Sequence, residues 1–398
     1  MSAFNQSDPI VILSFARTPM GAMQGALADV AATDLGATAV KAAMERSGVE
    51  GEDVDRVYMG CVLPAGLGQA PARQAALKAG LPLSAQATTV NKVCGSGMQT
   101  VIMGAEALAT GMADTVVAGG MESMTNAPFL LKKHRSGARI GHDMAYDHMF
   151  LDGLEDAYEE GRAMGTFAQD MADKYQLTRE DMDSYSIASL ERANAAIASG
   201  AFADEVVPVT YSTRRGDVTV DTDEAPGKGK PDKIPQLRPA FAKDGTITAA
   251  TSSSISDGAA AVVLTRKSVA DAKGLTPVAT ITGLTAHAQA PEEFTIAPVG
   301  AIEKLLEQTG WNVDDVDLWE VNEAFACVAM FAMRDIGIAH DKINVNGGGT
   351  ALGHPIGASG TRIIVTLINA LKQQGKKRGI ASLCIGGGEA TALAVELA

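Results

Sequence analysis

The sequence predicts an α/β protein made of two similar halves with an insertion between them. Residues 47–55 match residues 309–317 at one constant offset, with Gly, Asp, Val and Asp identical, and each copy follows an amphipathic stretch and precedes a short apolar one. A second pair, residues 115–122 and 381–389, consists of apolar runs that end in glycines. Because similarity repeated along a chain indicates a repeated architecture, two related halves are the simplest explanation.

Within each half, the sequence pattern alternates between strands and helices. It predicts strands at residues 10–14, 56–59, 89–90, 115–118 and 318–321, and helices at residues 35–46, 98–110 and 301–308. Strands that alternate with helices indicate mostly parallel sheets flanked by helices.

The region between the halves is less regular. Residues 121–150 are rich in Met, His, Lys and Gly and predict a long loop. Residues 151–200 are helical in pattern with Thr178 as an N-cap, whereas residues 211–236 again predict a loop. An insertion of this length in an α/β unit usually has a function.

The composition excludes several classes of protein. With 398 residues, 46% of them hydrophobic and 20% charged, the chain is long enough to form two or more cores. A net charge of −14 disfavours a nucleic-acid partner. No apolar run approaches the ~20 residues of a membrane span, and residues 1–10 lack the pattern of a signal peptide, so we expect a cytoplasmic protein without membrane contact. The four cysteines form no CxxC pair and no regular framework, which argues against structural zinc and disulfides.

An anionic small ligand would still need a local basic patch. Two stretches supply one: Lys132, Lys133, His134, Arg135 and Arg139 in the first, and Lys228, Lys230, Lys233 and Arg238 in the second. Taken alone, each stretch is more simply explained as a solvated loop.

Cys94 lies between an apolar strand and a helical run, in residues 91–98 (NKVCGSGM). A thiol at a helix N-terminus faces the positive end of the helix dipole and free backbone N–H groups, and both favour the thiolate. The neighbouring glycines permit a tight turn and the close approach of a substrate carbonyl. From this segment alone, a nucleophile and a small buried cysteine are equally good interpretations.

His354 lies in a glycine-dense segment, residues 344–360. Few side chains would cover its ring and Pro355 keeps it out of helical geometry, so a general base is favoured over a core histidine. The alternative, phosphate binding by the glycines at 347–349, has neither a Walker lysine nor a dinucleotide fingerprint to support it. The remaining histidines, at positions 134, 142, 148, 287 and 340, are interpreted as surface residues.

Three further residues follow predicted strands. Cys384 ends an apolar strand and precedes three glycines, so its thiol would point toward backbone amides. Asn322 and Glu323 open an apolar helical run, where Asn322 either reaches into a site or, as the stronger alternative, caps the helix. Cys61 and Cys327 are interpreted as ordinary packing residues.

The segments around Cys94, Asn322, His354 and Cys384, with Arg-Thr-Pro at 17–19 and GGMESM at 119–124, resemble the signature motifs of thiolases. The resemblance implies a five-layer αβαβα sandwich of two duplicated βαβαβαββ halves with an inserted loop domain. It places the N-terminal half at residues 1–120 and 246–272, the inserted loop domain at residues 121–245 and the C-terminal half at residues 273–398. It also implies a homo-oligomer, either a dimer or a homotetramer assembled through a loop near residues 121–145.

The resemblance further implies the roles of the site residues. Cys94 would take the acyl group from a CoA thioester, His354 would activate Cys94, and Cys384 would remove the α-proton of a second acetyl-CoA. His354 and a water held by Asn322 would stabilise the enolate, and the backbone N–H groups of Cys94 and Gly386 would stabilise the tetrahedral intermediate.

Substrate contacts are implied in the same way. Ser253 matches a serine that contacts the pantetheine arm, Lys233 lies where family members hold the adenosine diphosphate, and the apolar wall positions are Leu154, Met164, Phe294 and Phe325. Acyl-CoA thioesters would be the substrates, with no metal and no further cofactor.

Two departures from the family pattern concern the acyl pocket. Ala163 stands where short-chain biosynthetic members commonly carry His, and Phe294 stands where many carry Met. The implied activity is the condensation of two acetyl-CoA molecules to acetoacetyl-CoA, or its reverse, in fatty acid metabolism. A degradative 3-ketoacyl-CoA thiolase of broader chain length is the nearest alternative, and a lipid-binding relative without catalysis is a remote one.

Overall fold

The computed structural model describes residues 7–398, so the expectation about a signal peptide falls mainly on residues 1–6, outside the described part. The strands are β1 (Ile10–Arg17), β2 (Gly21–Ala22), β3 (Arg56–Gly60), β4 (Gln86–Val90), β5 (Thr115–Ser123), β6 (Phe129–Leu130), β7 (Tyr146–Asp147), β8 (Val209–Thr213), β9 (Gly216–Val220), β10 (Ser256–Arg266), β11 (Ala279–Ala288), β12 (Leu318–Val321), β13 (Arg378–Ile385) and β14 (Glu389–Leu397).

The helices complete the alternation. They are α1 (Ala32–Ser47), α2 (Pro71–Lys78), α3 (Ser96–Ala109), α4 (Met164–Lys174), α5 (Arg179–Ser199), α6 (Glu224–Lys228), α7 (Lys267–Ala272), α8 (Ala297–Thr309), α9 (Ala326–Ile336), α10 (Gly349–Leu352) and α11 (Ile356–Gln374). A π-helical turn spans Phe150–Leu154. Within residues 7–398, none of the helices has the length and apolar character needed to cross a bilayer.

The main sheet repeats one strand order in both halves. The order is β4-β3-β5-β10-β1 in the first half and β12-β13-β14-β11 in the second. An isolated parallel bridge between Trp319 and Ile343 takes the place of β4 in the second half. Two residue pairs, Val11 with Thr280 and Ile12 with Ala279, connect β1 to β11 and so join the two halves. The structure therefore shows the duplication that the sequence predicts.

Helices and sheet form five layers. Helices α1 and α2 cover the outer face of the first half through a core that includes Leu35 and Met59. Helices α3 and α11 lie between the two halves of the sheet, with Val101 and Leu367 in the shared core. Helices α8 and α9 cover the outer face of the second half, where Phe331 is buried. This arrangement is the expected αβαβα sandwich.

The expectation of mostly parallel sheets is wrong. Strand β3 runs parallel to β4 and β5, and β12 runs parallel to β13, but β1, β10, β11 and β14 pair antiparallel with their neighbours. The last two strands of each half, β5 with β10 and β13 with β14, are antiparallel neighbours and so need no crossover helix. Residues 386–388 join β13 to β14, and the insertion separates β5 from β10 along the chain.

The insertion is more structured than the sequence predicts. Strand β5 continues to Ser123, so the predicted loop at 121–150 begins inside a strand. The predicted loop at 211–236 contains part of the β8–β9 hairpin and helix α6. Thr178 does cap α5, because its hydroxyl accepts a hydrogen bond of 3.1 Å from the Asp181 backbone N–H.

Candidate active site

The candidate site lies at the carboxyl ends of strands from both halves. Cys94 follows β4, Asn322 follows β12, Gly386 follows β13, and His354 precedes α11. Cys94, His354 and Gly386 line one cavity of about 320 Å³. Asn322 lies directly beside the His354 ring. The fold therefore brings together segments that are up to about 290 residues apart in sequence.

The turn that carries Cys94 is tight. Val93 has a φ of 46°, in the left-handed region that β-branched side chains rarely adopt. Gly95 has an ordinary φ of −78°, but a Cβ there would lie only 2.3 Å from Ile385 Cδ1. The expectation that the glycines adopt the unusual backbone angles of this turn is therefore wrong. Val93 adopts the unusual backbone angle, and Gly95 provides space for Ile385.

Burial determines the resting state of Cys94. It raises the pKa of the Cys94 thiol to about 11, and hydrogen bonds from the backbone N–H groups of Gly386 and Cys94 oppose it only in part. The backbone donors favour the thiolate as the sequence predicts, but desolvation outweighs them in the resting protein. Cys94 is a thiol at neutral pH and needs a base to become a nucleophile.

His354 lines the same cavity as Cys94 and is the candidate for that base, although its surroundings differ from the prediction. Its ring is only 5% exposed, so the expectation of little side-chain cover is wrong. Burial, assisted by the positive charge of Arg362, lowers the pKa of His354 to about 3. The imidazole is therefore neutral at physiological pH and has one nitrogen free to accept a proton.

The hydrogen bonds of Ser359 determine which nitrogen of His354 is unprotonated. The Ser359 hydroxyl donates its one proton to the Pro355 carbonyl at 3.0 Å, and its oxygen lies 2.6 Å from His354 Nδ1. The oxygen must then accept a hydrogen bond from Nδ1–H. His354 Nε2 is left as the unprotonated nitrogen.

Asn322 does not cap a helix, so the stronger sequence interpretation is wrong. Helix α9 begins at Ala326, with Phe325 at the N-cap position. The Asn322 amide nitrogen instead lies 3.5 Å from Nδ1 and 3.4 Å from Nε2 of His354. Asn322 is 1% exposed, so this amide is part of a buried polar arrangement around the imidazole.

Cys384 is completely buried near the end of β13, two residues before Gly386. Burial raises the pKa of its thiol well above the ordinary value, and the proximity of Cys94 raises it further. Both cysteines are therefore neutral thiols in the resting protein. Since like charges repel at short range, forming one thiolate disfavours the second.

The walls of the cavity are apolar and include most of the predicted substrate contacts. They comprise Leu154, Ala163, Met164, Ser253, Phe294 and Phe325, with Met149 and Phe241 in addition. Phe325 makes edge-to-face contacts with Phe241 and Phe294 at ring-centroid distances of 6.0 and 6.4 Å. A cavity of this kind suits a largely apolar portion of a ligand.

Lys233 lies elsewhere than the other predicted contacts. It lines a second cavity of about 350 Å³, together with Lys228, Lys230 and Ser254. Ser253 lines the first cavity, and the next residue, Ser254, lines the second. The basic stretch at 228–238 thus borders the site, whereas residues 132–139 form an exposed loop.

Comparison with known proteins decides the family. The model of the thiolase N-terminal domain matches residues 10–268, and that of the thiolase C-terminal domain matches residues 275–397. The chain belongs to the thiolase family.

Individual relatives agree with this assignment over nearly the full length. An acetyl-CoA acetyltransferase of Chromobacterium violaceum is 49% identical over 97% of this thiolase and 99% of its own chain. One of Rhizobium meliloti is 47% identical over 97% and 98% of the two chains. The crystal structure of the Bacillus anthracis acetyl-CoA acetyltransferase superposes with a TM-score of 0.95 at 39% identity, covering 98% of this chain and 99% of that one.

Glu122 is a site residue to which the sequence pattern assigned no role. Its buried carboxylate accepts hydrogen bonds from the backbone N–H groups of Val62, Leu63 and Gly357 at 3.0, 3.1 and 2.9 Å. Burial raises the pKa of Glu122 to about 7, against these donors and a weak one from the Cys61 thiol. Glu122 thereby ties the first half of this thiolase to the segment just after His354. Its place in the segment GGMESM at 119–124, as the one acidic residue of an otherwise uncharged strand, was the available signal.

Glu323 organises the glycine-dense loop. Its carboxylate accepts hydrogen bonds from Tyr185, Ser189 and Asn344 at 2.8 to 2.9 Å. A Cβ on Gly348 would lie 2.3 Å from this carboxylate. The loop therefore packs around an anion belonging to the chain itself, which opposes the alternative that it binds phosphate.

His148 is buried, so its interpretation as a surface residue is wrong. Its Nδ1 lies 2.5 Å from Asp152 Oδ2, and its Nε2 accepts the Ala65 N–H at 3.3 Å. These bonds hold the π-helical turn Phe150–Leu154, which forms part of the cavity wall. Of the other histidines interpreted as surface residues, His287 is half-buried and the exposed ones are His134, His142 and His340.

Proposed function

We propose that this thiolase is an acetyl-CoA C-acetyltransferase. It joins two acetyl-CoA molecules to give acetoacetyl-CoA and CoA, or cleaves acetoacetyl-CoA in reverse. One observation carries the proposal: Cys94, with two backbone N–H donors, and His354, a neutral imidazole of fixed tautomer, line the same apolar cavity. The names of the full-length relatives support the acetyl substrate.

In the first half-reaction, His354 Nε2 takes the proton of the Cys94 thiol, and the sulfur attacks the thioester carbonyl of acetyl-CoA. The oxyanion accepts hydrogen bonds from the backbone N–H groups of Cys94 and Gly386. The bond from carbon to the CoA sulfur then breaks, and CoA leaves with one proton. Cys94 is now acetylated, and one of the two original thiol protons remains in the site.

In the second half-reaction, that proton begins on Cys384 and passes to His354 once the second acetyl-CoA is bound, which makes Cys384 the thiolate. Cys384 removes an α-proton from the second acetyl-CoA, and the enolate carbon attacks the acetyl group on Cys94. The enolate oxygen is stabilised by protonated His354 and by a water held by Asn322. The bond between carbon and Cys94 sulfur breaks, and His354 returns its proton to Cys94. All atoms and charges balance, and Cys384 is again a thiol.

The substrate is held by side chains of the chain itself, and we propose that no metal or further cofactor takes part. The acyl group lies against Leu154, Met164, Phe294 and Phe325, and the pantetheine arm passes Ser253. The adenosine diphosphate lies along the second cavity, where Lys233 and its basic neighbours match the negative charge of the phosphates.

A degradative 3-ketoacyl-CoA thiolase is the second candidate. The observation that favours it is that Ala163, a small side chain, lines the acyl cavity. The resemblance to thiolases implies a larger His at this position in short-chain biosynthetic members. More space at this wall admits a longer acyl chain. Comparing rates of thiolysis on acetoacetyl-CoA and on a long-chain 3-ketoacyl-CoA separates the two candidates.

The function is tested by replacing the nucleophile. C94A is expected to abolish both condensation and thiolysis, because no acyl intermediate forms. C327A is the control, since Cys327 is also a free cysteine but is buried in α9 and does not line the cavity. Undiminished turnover by C94A contradicts the proposal.

We also propose a cytoplasmic homotetramer that acts in fatty acid metabolism. Strand β4 is the outer strand of its half, with Gln86 and Thr88 exposed, and a second copy can pair with this edge. The loop near residues 121–145 exposes apolar side chains, with Phe129 68% and Ile140 98% accessible. Light scattering is expected to give a tetramer for the wild type and a dimer for I140E. A monomeric wild type contradicts the assembly.

A further inference from the structure

Asn322 has an ambiguous side chain whose orientation its neighbours must decide. The oxygen and nitrogen of an amide have nearly the same shape, but one accepts and the other donates hydrogen bonds. In the proposed mechanism the Asn322 amide holds the water that stabilises the enolate. The amide must therefore keep one orientation, so that this water stays in one place.

Arg362 decides the orientation. Its Nη2 lies 3.5 Å from Asn322 Oδ1, whereas Nδ2 of the same amide lies 3.4 Å from His354 Nε2. A guanidinium has five donors and no acceptor, so the amide oxygen must face it. The reverse orientation would set two donors against each other in a site where both residues are 1% exposed. The amide N–H groups are thereby turned toward His354.

Arg362 is in turn fixed by Glu320. Its Nη1 lies 3.5 Å from Glu320 Oε2, and Glu320 is also 1% exposed. Within residues 7–398, the other carboxylate oxygen, Oε1, has no hydrogen-bond partner. Burial raises the pKa of Glu320 to about 8, although the nearby Arg362 opposes the rise. Oε2 of Glu320 is therefore placed to accept a hydrogen bond from Arg362 and so to hold the guanidinium in position.

We propose that Arg362, anchored by Glu320, is a positioning residue that fixes the Asn322 amide for the carbon–carbon step; this role rests on the proposed function. The first half-reaction does not depend on it, because the acyl oxyanion is held by the backbone N–H groups of Cys94 and Gly386. The two half-reactions consequently respond differently when Arg362 is altered.

The test uses R362K, which keeps the positive charge near His354 but loses the planar fork that spans Glu320 and Asn322. Two rates are measured on the full-length protein. Exchange of the acetyl group between acetyl-CoA and labelled CoA reports the first half-reaction, and thiolysis of acetoacetyl-CoA reports the carbon–carbon step. R362K is expected to slow thiolysis by about 10- to 100-fold, the cost of a small misplacement, and to leave exchange within about threefold.

Two further variants separate positioning from stability. Since Arg362 acts through Asn322, adding R362K to N322A is expected to slow thiolysis by no more than about twofold beyond N322A alone. R17K is the matched control. Arg17 is a fully buried cation paired with Glu205 and Asp223, and its replacement is expected to leave the ratio of the two rates unchanged.

The outcomes are distinguishable. If the wild type catalyses neither reaction, the proposed function is wrong and the role of Arg362 is overturned with it. If the wild type catalyses both, but R362K slows both equally or its effect multiplies with that of N322A, only the positioning role is overturned. If R362K does not fold, E320A replaces it as the test. E320A removes the oxygen that holds Arg362 while keeping Arg362 itself, and an unchanged ratio of rates in E320A also overturns the role.

Discussion

Ser359 Oγ lies 2.6 Å from His354 Nδ1, and this contact makes Nε2 the nitrogen that accepts a proton. The contact spans one turn of backbone, from just before α11 to within its first turn. In many enzymes a carboxylate accepts the hydrogen bond that orients a functional histidine. Here Ser359 accepts it, and the neutral hydroxyl adds no negative charge to the buried site.

Removing that contact is expected to lower activity without unfolding the protein. S359A frees the ring to adopt either tautomer, so we expect kcat/KM to fall by about 10- to 100-fold, the usual range for a residue that orients a functional histidine. Steady-state kinetics on acetoacetyl-CoA measure this. T366V is the control, because Thr366 lies on the same helix but donates its hydroxyl proton to Glu205. Equal losses in S359A and T366V would show that the effect is structural.

The reactivity of Cys94 is expected to depend strongly on pH in the absence of substrate. Burial raises the pKa of its thiol to about 11, so the thiolate fraction grows about tenfold for each pH unit up to about pH 10. Alkylation by iodoacetamide, quantified by mass spectrometry of the Cys94 peptide, follows this fraction. A rate that levels off below about pH 8 would mean that the resting enzyme already holds a thiolate.

Glu122 is expected to make stability depend on pH. Folding raises the pKa of Glu122 from 4.5 to about 7, so the folded state favours the protonated carboxyl. Its contribution to stability is fully present below about pH 4.5 and is lost as the pH rises through about 7. Since glutamine does not titrate, the melting temperature of the wild type minus that of E122Q should be larger at about pH 5 than at about pH 8.

Calorimetric scans of both proteins at the two pH values give this difference. E50Q provides the control, since Glu50 is exposed and its replacement should leave the difference constant. A wild-type advantage that grows with pH would contradict the direction of the shift.

Acyl-chain preference is expected to respond to Ala163. A163F fills part of the cavity wall, so thiolysis of 3-ketohexanoyl-CoA should fall by about 10-fold or more relative to acetoacetyl-CoA, as for extra methylenes in a closed pocket. The rate on acetoacetyl-CoA within the same variant serves as the internal control. Equal losses on both substrates would place the acyl chain at another wall.

Local sequence patterns predict the elements that carry the site. Residues 318–321 are a strand as expected, and Cys94 lies at a strand-to-helix turn as expected. These features depend on near neighbours in sequence, such as apolar runs and the residues that begin or end a helix. The order of the motifs along the chain also indicates the family.

The electrostatic properties of the site could not be predicted in this way. The burial of His354 and the raised pKa of Cys94 depend on packing between the two halves, which no local pattern records. Glu122 bonds to Gly357 across 235 residues of sequence. The antiparallel pairing of β5 with β10 is likewise hidden by the insertion.

The central claim is that Cys94 carries the acyl group, and direct detection of that intermediate tests it most closely. Protein mixed with acetyl-CoA, quenched in acid and digested is analysed by mass spectrometry. We expect one acetyl group on the peptide that contains Cys94, and its loss when CoA is added before the quench. An acetyl group on Cys384 instead, or turnover without any acetylated cysteine, would contradict the account.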